Sequence, residues 1–257
     1  PLLGALAPLL GACAHAPIPP PTDAALLDLA RRSPVGATLP QVAPLLQAAV
    51  AAMSAHLHHD PERLPLTEAA IDACFDPTSL TTSIAARLRA ALPDHDLRRL
   101  LAWHDDPAHD RLLTHLQQPL AADAQALASP HNPRREADLQ TLANHYNPRA
   151  TLRRFWVSLY SNAALIALAS SPDEDRDREA LRLVVAGAVR RTGIERQTPH
   201  ARLHALRLAL RDSSDEDIAA AAASWSSPLG VRYQAALWGA YTDTLDEGAD
   251  CAVALLR

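Results

Sequence analysis

The chain reads as all-α, a compact multi-helix bundle, on three observations. Ala, Leu, Arg, Glu and Gln dominate it, and these are strong helix formers. β-Branched residues are sparse and seldom alternate with polar ones, so strand signals are weak. Prolines stand behind Asp, Asn or Ser at the heads of apolar-periodic stretches more often than inside them. With 257 residues, 48% of them hydrophobic, there is material for one large domain or two small ones. Only 4% are aromatic, so Leu and Ala must fill most of the core.

Helices are expected at 23–32, 40–58 and 67–74. Asp76-Pro77 then caps and opens 77–92, with Leu80, Ile84, Leu88 and Leu92 on one face. A helix at 95–105 follows. Asp106-Pro107 opens 107–128, which carries Leu112, Leu113 and Leu116 and which Pro119 should kink or end. After 134–145, Asn147-Pro148 opens 148–170 through Leu152, Phe155, Trp156, Leu159 and Tyr160. Residues 174–192 turn Leu181, Val184, Val185 and Ala188 inward and end in Arg190 and Arg191 before Gly193. The last helices are 199–212, 215–226 and 228–246, the final one opened by Ser227-Pro228 and carrying Val231, Tyr233, Ala236 and Leu237. Short polar turns between them predict antiparallel neighbours.

Residues 1–12, PLLGALAPLLGA, are uncharged and too short to span a bilayer. They resemble the tail of a secretory signal peptide. Leu10-Gly11-Ala12-Cys13 resembles the bacterial lipobox, in which small residues admit the peptidase and the thiol accepts a diacylglycerol. That resemblance implies a lipidated Cys13 and a membrane partner, each buried methylene contributing about 0.8 kcal/mol. Ala14 stands where an Asp would mark inner-membrane retention, which implies an outer-membrane lipoprotein facing the periplasm. Residues 13–22 include Ala16-Pro17-Ile18-Pro19-Pro20-Pro21, a stiff spacer, and 23–257 form the helical domain. Two readings of Cys74 and Cys251 stay open: one disulfide in an oxidising compartment, or two buried thiols.

Two stretches align without gaps at an offset of 121. Pro93-Asp94-His95-Asp96-Leu97, Trp103, Pro107 and Arg111 match Ser214-Asp215-Glu216-Asp217-Ile218, Trp225, Pro228 and Arg232, with the Trp displaced by one. Each unit is an acidic cap, a helix ending in an aromatic, then a proline-started helix. Either the chain holds two related helical halves, 23–146 and 147–257, or capped amphipathic helices simply look alike. The pattern resembles the DUF2059 family of exported bacterial proteins. The residues that carry it are Leu97-Arg98-Arg99-Leu100-Leu101-Ala102-Trp103 to Pro107, and Ser224-Trp225-Ser226-Ser227-Pro228-Leu229-Gly230. Only the second copy keeps Ser-Pro-x-Gly; the first has Asp106-Pro107-Ala108-His109. The resemblance implies a periplasmic all-helical domain and carries no catalytic residues.

A formal charge of −5, from 24 basic and 29 acidic residues, argues against nucleic acid as a partner. Every basic residue is Arg, and eight Gly leave little for phosphate-cradling loops. No G-x-S-x-G, H-E-x-x-H or C-x-x-C is present, and no catalytic residue or cofactor is expected. Asp173, Glu174, Asp175, Asp177 and Glu179 read as a solvated helix start. The twelve His form two clusters. His56 and His59 are spaced i, i+3, with Asp60 at i+4, which makes them the metal candidate. His104, Asp105, Asp106, His109, Asp110 and His115 are spaced against a shared helix face. The expected function is a non-catalytic cell-envelope lipoprotein, a binding or assembly module with an envelope protein partner. The alternative is an envelope enzyme or metal-binding protein whose site gathers dispersed His and carboxylates.

Overall fold

The computed structural model is described for residues 20–56, 63–117, 132–145, 148–169, 185–186 and 199–257. These residues hold eleven α-helices, one 3-10 turn and no strand. The helices are α1 (Asp23–Arg32), α2 (Leu39–His56), α3 (Leu64–Cys74), α4 (Pro77–Ala91), α5 (Asp94–His104) and α6 (Pro107–Gln117). They continue with α7 (Pro133–His145), α8 (Pro148–Leu168), α9 (Pro199–Ala209), α10 (Asp215–Ser226) and α11 (Pro228–Leu255). Side-chain N-caps open α1, α4, α10 and α11. Thr22 accepts from the Ala25 amide, Asp76 from Ser79, Ser214 from Asp217 and Ser227 from Gly230. Each satisfies an amide that the first helical turn leaves unpaired. The expected helix at 174–192 and the residues around Pro119 lie outside the described residues, apart from 185–186.

The bundle is organised on α11. Its 28 residues run about 42 Å, and it packs on α3, α4, α8 and α10. Tyr233, Leu237, Ala240, Tyr241, Leu245, Ala249 and Ala252 are buried along it. Val231, one of the apolar residues this helix carries, is exposed, because the buried stripe runs through Leu229, Gly230 and Tyr233 and passes it by. Small residues let neighbours approach: Gly248 lies where a Cβ would meet the Phe75 ring at 2.7 Å. Around this axis α2 packs on α8 and α3, α1 on α4, and α7 on α9 and α10. The core cluster runs through Leu and Ala from both sides of residue 146. Among the described residues no single helix is long and apolar enough to cross a membrane.

The two repeated hairpins, α5–α6 and α10–α11, exchange their conserved-register residues. Arg111 on α6 pairs with Asp217 on α10, at 2.9 Å. Arg232 on α11 pairs with Asp96 on α5, at 2.7 and 3.1 Å. Asp96 and Asp217 are equivalent positions at the offset of 121, and so are Arg111 and Arg232. Each copy's Arg therefore reaches the other copy's Asp, the reciprocity expected of a two-fold contact. Trp103 and Trp225 meet edge to face between the clamps, with centroids 4.8 Å apart.

The two corners differ by one residue. Asp105 and Asp106 link α5 to α6, whereas Ser227 alone links α10 to α11. The tighter corner presses Gly230 onto the preceding helix, where a Cβ would collide with the Ser224 carbonyl oxygen and lie 2.8 Å from that of Trp225. This is the physical content of Ser-Pro-x-Gly: a cap, a preset φ and a missing side chain. The looser corner has room for His109 at the equivalent position.

Two matched substitutions test these contacts by urea unfolding. Arg232→Ala should cost about 2–3 kcal/mol, because it leaves a carboxylate that is only 1% exposed with the exposed His95 as its remaining charged-type neighbour. Arg111→Ala, whose side chain is 57% exposed, should cost under about 1 kcal/mol. Equal costs would refute the asymmetry. Gly230→Ala should destabilise by about 1–3 kcal/mol through overpacking. Gly239→Ala, with nothing near its Cβ position, should be neutral or gain up to about 1 kcal/mol from helix propensity.

Candidate functional site

The first corner holds the most unusual chemistry among the described residues. Helix α5 ends at His104, and Asp106 accepts from the Ala108 amide at 2.9 Å to start α6. Arg32, closing α1, donates to the His104 carbonyl oxygen at 2.9 Å and to Asp105 Oδ1 at 2.8 Å. It also pairs with Asp28 at 2.8 Å. A cation thus satisfies the C-terminal carbonyl of α5 and pins the turn to α1.

With the backbone so held, the imidazoles of His104 and His109 both lie inside, 2% and 4% exposed. Their rings meet at a right angle, with centroids 4.6 Å apart. The Trp103 ring lies 4.3 Å from His109 and 5.4 Å from His104. Tyr233, fully buried on α11, lies 5.8 Å from His104. None of the four imidazole nitrogens, nor the Tyr233 hydroxyl, has a hydrogen-bond partner among the described residues.

Burial lowers His104 to about 3, helped by His109 and Arg32 and opposed by Asp105. Burial lowers His109 to about 4, opposed by Asp106 and Asp110 and helped by Arg32. Burial also raises the Tyr233 hydroxyl. At neutral pH both rings are neutral. Their affinity for protons is too low for general-base work at that pH. A neutral imidazole nitrogen remains a good metal ligand.

The residues singled out from sequence fall elsewhere. Cys13 lies outside the described residues, as do His59, Asp60 and the acidic run at 173–179. His56 is the last residue of α2, and its side chain is likewise outside them. Cys74, ending α3, is bonded to Cys251 near the end of α11, with Cα atoms 5.9 Å apart. Of the second His cluster, the structure brings His104 and His109 together despite their spacing of five. Helical periodicity does not govern residues on opposite sides of a turn. Between the earlier part of α3 and the end of α11 lies an apolar groove of about 380 Å³, lined by Arg63, Leu66, Ala69, Ala70, Leu255 and Leu256. Leu66 and Leu255 are 66% and 62% exposed.

Comparison with protein-family models, curated proteins and solved structures gave no match. The site is therefore read from its own geometry.

Acid should unfold the protein earlier than its carboxylates alone require. Unfolded imidazoles take a proton near pH 6.5, whereas the buried pair resists until about 4 and about 3. Stability is full above about 6.5 and falls as pH drops from there towards 4, where only the unfolded chain binds these protons. The depressed carboxylates Asp76, Asp215 and Asp217 act lower still. The urea midpoint should fall between pH 7 and 4.5, and the double variant His104→Leu/His109→Leu should flatten that slope. An unchanged slope would show that the rings are protonated in the fold.

Proposed function

We propose that this chain is a cell-envelope lipoprotein, tethered through Cys13 at the periplasmic side of an outer membrane, that acts as a non-catalytic binding or assembly module. The observation that carries the reading is the Cys74–Cys251 disulfide, which joins residues 177 apart. Such bonds persist in oxidising compartments and are rare in reducing ones. The arrangement at the entrance to the domain agrees with a tether. Arg89 on α4 donates to the Pro21 carbonyl oxygen at 2.6 Å and pairs with Asp23 at 3.1 Å, so a spacer ends on a fixed point. The open groove between α3 and the end of α11 offers a contact surface. Two exposed leucines there are costly in water and useful against a partner. The DUF2059-like hairpin pattern fits the same exported, helical class.

Fractionation with mass spectrometry tests the reading. The native protein should partition with membranes and carry an acylated Cys13. Cys13→Ala should appear in the soluble fraction, and non-reducing digests of both should contain the linked Cys74 and Cys251 peptides. Membrane partition of Cys13→Ala, or recovery of both cysteines as free thiols, would end it.

A further inference from the structure

We propose that His104 and His109 form a two-imidazole site for a soft monovalent cation, copper(I) by its chemistry, with the face of Trp103 as a further contact. This goes beyond the envelope reading and does not depend on the tether.

The placement comes first. Two imidazoles from consecutive helices meet among the rings of Trp103, Trp225 and Tyr233. Their ring nitrogens are buried without a hydrogen-bond partner among the described residues. Each such group costs about 1–3 kcal/mol, so it calls for a reason. Packing does not supply one. At the offset of 121 the positions of His104 and His109 correspond to Trp225 and Gly230. The second hairpin thus closes an equivalent corner with an indole, which has no acceptor nitrogen, and a glycine. Only the first corner carries imidazoles.

The donor set then selects the ion. Of the carboxylates around the corner, Asp105 pairs with Arg32, Asp96 with Arg232 and Asp106 with the first turn of α6, while Asp110 is exposed. Calcium and magnesium need several oxygen ligands, which the pocket does not present. Zinc wants four ligands, or three and a water, and among the described residues no three His, Cys, Asp or Glu side chains gather around one point. A closed-shell monovalent ion is satisfied by two imidazoles in a near-linear arrangement. The cost of bringing an ion into an apolar interior rises with the square of its charge, which favours one charge over two. Trp103, with its centroid within 5.4 Å of both rings, is within range of a cation held between them.

Geometry sets one requirement. Metal–nitrogen bonds of about 2.0–2.1 Å place two rings in a near-linear arrangement with centroids roughly 6–6.5 Å apart. The present 4.6 Å is shorter, so binding separates and turns the rings. Because Arg32 holds the backbone of the corner, that adjustment falls on the two histidine side chains.

Silver(I) is the probe, since it matches copper(I) in charge and coordination and leaves the disulfide oxidised. Titration of the full-length Cys13→Ala chain, whose two remaining cysteines form the disulfide, should quench tryptophan emission with a one-to-one end point, and copper(I) should compete with silver. His104→Leu/His109→Leu should lose that step, and each single variant, left with one imidazole, should bind more weakly than the intact pair. In the same Cys13→Ala chain with both histidines present, ring 15N signals of these two histidines should shift together at one equivalent, a readout that does not need the histidine variants to fold. Zinc(II) should leave those signals in place. A silver step that persists in the double variant, ring signals unmoved at one equivalent, or zinc displacing silver at equal concentration would overturn the proposal.

Discussion

Asp96 is the constraint from which the rest of the geometry follows. A carboxylate almost wholly removed from water, in a core made largely of Leu and Ala, is tolerable only beside a cation. Arg232 supplies it from the N-terminal part of α11, 136 residues along the chain. That contact sets α5 against the axial helix. The crossed partner, Arg111 with Asp217, sets α6 against α10 in the same sense. Two clamps of opposite direction leave one angle between the hairpins, and the paired indoles fill the space between them. The inward turn of His104 and His109 is a consequence of that angle together with the hold of Arg32 on the corner.

Helix positions were largely legible because their causes are local. Asp76-Pro77, Ser227-Pro228 and the four-residue spacing of Leu80, Ile84, Leu88 and Leu92 act within a turn or two of chain, and all four apolar residues are buried. The errors lie where a distant group decides. Helix α11 continues to Leu255 instead of stopping near 246. Gly248 and a run of acidic residues look like an ending. In the fold, Phe75 sits on the glycine, Arg87 pairs with Asp243 and Glu247, and Asn162 donates to Asp246. Helix α3 starts at Leu64, ahead of the expected 67, with Pro65 in its first turn.

The candidate site was less legible for a related reason. A search for ligands at i, i+3 or i+4 presumes one continuous helix, and it selected His56, His59 and Asp60. The pair that the fold brings together straddles a corner. The useful signal was already in the repeat: two histidines stand where the companion copy has Trp225 and Gly230. A departure from an internal pattern at two positions on one corner is readable without a structure, provided that the copies are compared residue by residue.

The bond between Cys74 and Cys251 makes most of this protein a closed covalent ring. Helices α4 to α10 all lie inside it, together with every residue of the crossed clamps and both histidines. A protease that severs any one peptide link within that circuit opens the ring without parting the molecule. Both fragments stay attached, each holding its share of the core in place, until a reductant releases them.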